Sequence, residues 1–121
     1  MTKYIIHGGY TRIKNKFNDM FFREILSGFK DSAKVLLVLF AREKEKWEML
    51  EKREVDHLTK SRPDLKLKFD VANENIDKLV DQIKNSEVIY ILGGANDPLK
   101  NIFKDIPNLK KLFKGKVVVG I

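Results

Sequence analysis

The 121-residue sequence contains no cysteine. That excludes a disulfide framework, a thiolate metal site and a cysteine nucleophile within it. Its two histidines, His7 and His57, lie far apart and have no metal-spaced partners, so no metal site and no cofactor are expected. No apolar run approaches the roughly 18–20 residues of a membrane helix. The first residues run straight into a short strand pattern, without the apolar core and small-residue cleavage site of a signal peptide. The expectation is a cytoplasmic protein with no membrane partner. The serines are Ser27, Ser32, Ser61 and Ser86, none within G-x-S-x-G and each placed to cap or end an element. No Ser-His-Asp set can be assembled from these residues. Repeats, low-complexity tracts and linkers are also missing, so residues 1–121 read as one α/β domain.

Charge is abundant but not gathered. Lys and Arg number 24 against 17 Asp and Glu, a net charge of +7. The lysines are spread through every helical stretch and interleaved with acids, whereas a nucleic-acid footprint is clustered on one face. Nucleic acid is therefore not the expected partner.

Apolar periodicity supplies the organisation. Residues 3–7 form a short strand of β-branched and aromatic residues, broken by Gly8-Gly9. Phe17, Met20, Phe21, Ile25 and Phe29 recur at spacings of three and four, which predicts a helix over about 15–29. The continuous run 35–40 suits a strand covered on both faces. A charged helix over about 43–59 carries Trp47, Leu50 and Leu58 near one face, with Trp47 as a core anchor and His57 among solvated charges. Residues 66–71 alternate polar and apolar, which predicts an edge strand guarded by lysines. Asn73 or Asn75 caps a helix striped by Ile76, Leu79, Val80 and Ile83. The strand 88–92 follows, then Gly93-Gly94. Pro98 suits a first helical turn, Pro107-Asn108 interrupts the next stripe, and 117–121 is a last strand.

Strand and helix thus alternate four times before a fifth strand. That order predicts a three-layer α/β/α fold with a five-stranded parallel sheet, flavodoxin- or Rossmann-like. An order of 3-2-1-4-5 would make the first and fourth strands neighbours at the switch point, with both Gly-Gly turns lining one crevice. Such turns expose backbone N–H groups where an anion or oxyanion is welcome. Gly8 and Gly9 are accordingly candidate substrate-binding residues. The plainer alternative is that glycines simply make tight turns. His7, at the end of the first strand, reads as a structural residue with a satisfied hydrogen bond rather than a ligand.

The stretch 92–99, Leu-Gly-Gly-Ala-Asn-Asp-Pro-Leu, and the later 109–121, which ends Gly-Lys-Val-Val-Val-Gly-Ile, resemble the middle of the peptidase E (aspartyl dipeptidase) family. Phe40-Ala41-Arg42-Glu43 with Trp47 also resembles a stretch found after the second strand in some members. The resemblance implies a serine hydrolase on the class I glutamine amidotransferase-like fold. It covers nearly the whole chain but only the N-terminal half or so of a member, so the domain is expected to be incomplete at its C-terminus. By resemblance, the backbone N–H groups of Gly94 and Ala95 supply an oxyanion donor, and Asn96 is the loop asparagine facing substrate. Gly120 and Ile121 match the first two positions of a G-x-S-A-G nucleophile elbow, whose serine would be the next residue. The family histidine would lie later still. The resemblance implies a small peptide as the substrate of the complete protein, and an inactive chain on its own. The partner is then a complementing C-terminal segment or a second copy, since a chain ending on an apolar strand would leave an edge open. The alternative is a non-catalytic flavodoxin-like module that binds a small anion or nucleotide, or a partner chain.

Overall fold

The structure, a computed structural model, describes residues 2–7, 9, 14–94 and 96–121, without the side chains of 96–99. Five strands, β1 (Lys3–Ile6), β2 (Ser32–Val38), β3 (Lys66–Val71), β4 (Val88–Ile91) and β5 (Val117–Gly120), form one sheet in which every pairing is parallel. The helices are α1 (Lys16–Ile25), α2 (Trp47–Ser61), α3 (Ile76–Asn85), α4 (Asn96–Phe103) and α5 (Leu109–Leu112), with a 3-10 turn at Lys44–Lys46 leading into α2. The alternation is the expected one, and the interruption at Pro107-Asn108 falls between α4 and α5.

Local chemistry sets where the helices begin. The Asn15 side chain accepts the N–H of Asn18 at 2.9 Å, and the Asn75 side chain accepts that of Lys78 at 3.1 Å. Of the two candidate caps for α3, Asn75 is the cap, while Asn73 accepts the Asn75 N–H. Such a cap is worth about 1 kcal/mol. Leu79 and Ile83 of α3 are fully buried, and each such side chain contributes about 1.5–3 kcal/mol. Packing therefore holds the helix, and the cap decides its first residue. The serines terminate elements: Ser61 and Ser86 donate to Leu58 O and Gln82 O, both at 2.7 Å.

Two cores lie on opposite faces of the sheet. One gathers Phe21, Phe22 and Ile25 of α1 and Leu50 and Leu58 of α2 against Val35, Leu37, Tyr90 and Val119. The other gathers Leu79 and Ile83 of α3 with Ile106 and Phe113 against Leu36, Val38, Ile89 and Val118. This segregation follows from the strand order. Steps β1 to β2 to β3 run one way across the sheet, and β3 to β4 to β5 run back. Right-handed crossovers then place α1 and α2 on one face and the later helices on the other.

The order is β1-β5-β4-β2-β3, which corrects 3-2-1-4-5. β3 occupies an edge as expected, but β1 occupies the other edge, and β5 lies between β4 and β1. The physical reason is apolar coverage. β5 offers Val117-Val118-Val119, with Val118 and Val119 buried, and serves as an interior strand. β1 carries Lys3, and its Tyr4 and Ile6 are exposed, so it suits a strand paired on one side only. The last strand, β5, is paired on both sides, and the edges of the sheet are β1 and β3.

His57 is also corrected. Its side chain is only 21% exposed, sits 4.9 Å from the Phe22 ring, and brings Nδ1 to 3.1 Å from Glu54 Oε2, although poorly aligned for a hydrogen bond. Glu54 itself is wholly buried, and Tyr90 of the central strand β4 donates its hydroxyl to Glu54 Oε1 at 3.2 Å. Burial first, and then the facing Glu54 carboxylate, push the Tyr90 phenol far above its ordinary value.

Candidate functional site

Strands β2 and β4 are neighbours whose following segments leave toward opposite faces, so the topological switch point lies between them. At their carboxyl ends stand residues 39–43 and the Gly93-Gly94 turn. Gly93-Gly94 is therefore at the switch point, although beside β2 and not beside β1. The turn after β1 lies two strands from β4, about 10 Å away at ordinary strand spacing. The end of β5 fills the space between.

Backbone contacts hold this edge together. Ile121 donates its N–H to Ile91 O at 3.1 Å, and His7 donates to Gly120 O at 2.9 Å. The Gly120-Ile121 peptide thus sits between the two glycine turns. A Cβ at Gly93 would run into the Ile121 carbonyl oxygen, and one at Gly94 would lie 2.5 Å from Ala41 O. Close backbone approach, not only turn geometry, requires glycine at both positions.

Arg42 is the residue that sequence reading did not single out as functional. Its Nε donates to Gly93 O. Its own carbonyl accepts the indole N–H of Trp47 at 3.1 Å. Trp47 is half-buried against Phe40, with ring centroids 6.1 Å apart, and Lys44 Nζ lies 5.6 Å from its ring. Trp47 is therefore an anchor, but one that braces the glycine turn through Arg42. The only signal in the sequence was the stretch Phe40-Ala41-Arg42-Glu43 with Trp47; no local pattern reveals a contact across 51 residues. Arg42→Ala is expected to cost about 1–2 kcal/mol by freeing the Gly93 carbonyl. Arg42→Lys should not restore it, because an ammonium lacks the planar fork. Urea unfolding of the variants, with amide exchange at Gly93 and Gly94, checks both expectations.

At the β1 end, His7 accepts the Gly9 N–H at Nδ1, 2.9 Å, so its Nε2 carries the proton and donates to Asn18 Oδ1 at 2.7 Å. The ring also stacks on Phe21 at 4.5 Å. His7 is the satisfied structural histidine expected. It ties the β1 turn, where Gly9 has φ +106, to the first turn of α1. Among the remaining candidates, Gly94 is exposed, with φ +155. Gly8 and Ala95 lie outside the described residues, as does the side chain of Asn96, whose backbone opens α4. Among the described residues no cluster of three His, Asp or Glu side chains could hold a metal ion. No described helix is long and apolar enough to cross a membrane.

The site offers a glycine turn that exposes backbone at a helix start, set beside the end of an interior strand. That arrangement can stabilise a developing oxyanion if a reacting carbonyl is brought to the β5 end.

No family model matches the sequence, and no curated protein matches it. The structure is similar to that of a putative peptidase E protein from Listeria monocytogenes EGD-e, with 17% identity and a TM-score of 0.68, covering 99% of this chain and 58% of that one. It is also similar to a peptidase from an acI-B1 Actinobacterium, with 16% identity and a TM-score of 0.62, covering 99% of this chain and 54% of that one. The chain therefore has a peptidase E-like fold and spans less than two thirds of each of these structures.

Proposed function

We propose that this chain is the N-terminal part of a peptidase E-like serine hydrolase that cleaves small peptides by acyl transfer. The observation that carries the reading is the position of Gly120-Ile121. Gly120 ends the interior strand β5 and Ile121 follows it, with its N–H bonded to Ile91 O and its carbonyl close against Gly93. A serine following them in a nucleophile elbow would stand beside the Gly93-Gly94 turn.

The chemistry then runs as follows. The serine oxygen attacks the peptide carbonyl, and the tetrahedral oxyanion accepts the N–H groups at Gly94 and Ala95. The amine leaves with a proton supplied by a histidine, and water hydrolyses the acyl-serine. Serine and histidine come from outside these residues; this chain supplies the oxyanion turn and the Arg42–Trp47 brace, with Asn96 a substrate-binding candidate by resemblance. The substrate is a small peptide, the compartment cytoplasmic, and no nucleic acid or membrane is involved.

The test pairs two polypeptides: the 121-residue chain, and the chain extended by the sequence that follows Ile121 in its gene. An aspartyl dipeptide should be turned over by the extended form and by the short form only at background, a difference of at least ~10³-fold. A reading frame with no serine after Ile121, or steady turnover by the short chain, would overturn the proposal.

A further inference from the structure

A recess lies at the opposite end of the sheet from the glycine turns. It opens at the amino ends of β4 and β5, between α3 and α5, with a cavity of about 490 Å³. Ligand pockets run from roughly 300 to 1,000 Å³. Val80 of α3, Leu112 of α5 and Pro107 give it apolar walls, and Lys84, Lys111, Lys116 and Asn108 give it polar atoms. Lys84, in the last turn of α3, and Lys111 of α5 are exposed, as cations at helix C-termini usually are. Lys116 is held in place: its Nζ donates to Ser86 O at 2.5 Å and to Lys84 O at 3.3 Å. That closes the end of α3 and leaves one of the three ammonium donors. Burial draws Lys116 below the ordinary lysine range, and the Glu87 carboxylate opposes this more weakly. Among the described residues none of the three lysines is in a salt bridge. Asn108 holds φ +56, the one positive value outside glycine among the described residues, and its side chain makes no capping bond to α5. Dipole pairing accounts for each lysine singly, and not for their meeting around one cavity beside an unbonded amide.

We propose that this groove binds a small molecule that carries a phosphate monoester on a flat apolar body. The phosphate lies among Lys84, Lys111 and Lys116, and the body lies against Val80, Pro107 and Leu112. Charge selects the phosphate. A phosphate monoester brings a charge of about −1.5 to −2 and three strong acceptor oxygens, where a carboxylate brings one charge and two oxygens. Lysine meets it as a point charge, without the planar fork that suits a carboxylate. The Asn108 amide can donate or accept, and so reads a polar atom on the body. Charge also separates this occupant from a polypeptide. A segment laid over the groove must bring acids into register with three lysines, and an ordinary apolar face would bury those charges unanswered. A phosphorylated small molecule carries the charge itself. Every wall comes from residues 80–116, so the assignment depends neither on the peptidase reading nor on sequence beyond Ile121.

AMP is the probe, with adenosine and inorganic phosphate as its separate parts. Titrated into the 121-residue chain, AMP should give saturable amide shifts at residues 80–84, 108–112 and 116. It should bind at least about tenfold tighter than adenosine or inorganic phosphate. Lys84→Gln with Lys111→Gln should weaken AMP binding at least about tenfold. The melting temperature should not change, since both side chains are exposed. Asn108→Gly removes the positive-φ penalty, so the melting temperature should hold or rise while AMP binding falls. An asparagine that only makes a turn would lose no binding. The chain extended by the sequence that follows Ile121 in its gene should respond at the same residues. No saturable shift, shifts centred on the glycine turns, adenosine or phosphate binding as tightly as AMP, indifference to the lysine variants, or a groove that responds in the short chain and not in the extended one would each overturn the proposal.

Discussion

Tyr90→Phe is expected to destabilise the fold by about 1–3 kcal/mol, although it removes a single oxygen atom. The Glu54 carboxylate is wholly buried between α2 and the sheet, and the Tyr90 hydroxyl is its donor from the central strand, 3.2 Å away. Arg53 Nε at 3.5 Å and His57 Nδ1 at 3.1 Å are its other neighbours. Glu54→Leu should cost a similar amount, because it strands the phenol in an apolar core. The double variant Tyr90→Phe/Glu54→Leu should recover much of the loss, since replacing both partners leaves no polar group unsatisfied. Urea unfolding of the four proteins checks this as a double-mutant cycle, and simple additivity would rule out the coupling. The same pair sets the alkaline limit. The folded pKa of Tyr90 lies above its unfolded value of 10.0, so its contribution is fully present below pH 10. Above pH 10 the unfolded chain releases the phenolic proton and the folded chain keeps it. Stability then falls as pH rises, by about 1.4 kcal/mol per pH unit from this group. Tyr90→Phe should flatten that slope. In the parent protein, one of the three tyrosines should ionise only on unfolding, as read by phenolate absorbance.

Gly93→Ala is expected to be the most damaging methyl group that can be added at the candidate site. The new Cβ would meet the Ile121 carbonyl oxygen, with the carbonyl carbon 3.0 Å away, and both atoms are backbone. Ile121 follows β5 and is held by its N–H bond to Ile91 O, so the Ile121 carbonyl or the glycine turn must shift. Overpacking of this kind costs about 1–3 kcal/mol. Gly94→Ala meets Ala41 O at 2.5 Å and the Arg42 side chain at 3.0 Å, at φ +155, where an L-residue is strained. The Arg42 side chain can move, but the Ala41 carbonyl cannot move without disturbing the loop that Trp47 holds. Loss of stability and of amide protection at residues 91–94 and 120–121 is the expected signature for both. Gly115→Ala provides the contrast, since a Cβ there meets nothing. It should show only the penalty of its φ of +79, about 1 kcal/mol. If Gly93→Ala proves no worse than Gly115→Ala, close packing is not the reason for glycine at 93.

Much of the fold was legible because its signals are local. Asn15 and Asn75 cap helices through their own side chains, Pro107 falls between α4 and α5, and the unbroken apolar run of β2 marks a strand covered on both faces. The alternation in 66–71 marked an edge, since only an edge strand can keep Lys66 and Lys68 wet. What was illegible depends on partners distant in the chain. His57 looks solvated beside Glu54 and Asp56 until Phe22 is placed against it. Glu54 resembles its charged neighbours on α2 and carries no mark of burial. Arg42 acquires its role only when Gly93 is brought to it. At the candidate site the glycines were readable as turn formers. Why they must be glycine, the approach of Ile121 and Ala41, was not.

The sequence by itself determined the class of fold, a parallel sheet between two helical layers, and the resemblance to peptidase E, because periodicity and turn residues act over a few residues. Only the tertiary structure decided the order of the strands. A parallel strand can be added on either side of its neighbours, and the choice rests on which strand can bury both faces. β5, with three successive valines, went inside. β1, with Tyr4 and Ile6 exposed, went to the edge. That exchange set the end of β5 beside Gly93-Gly94.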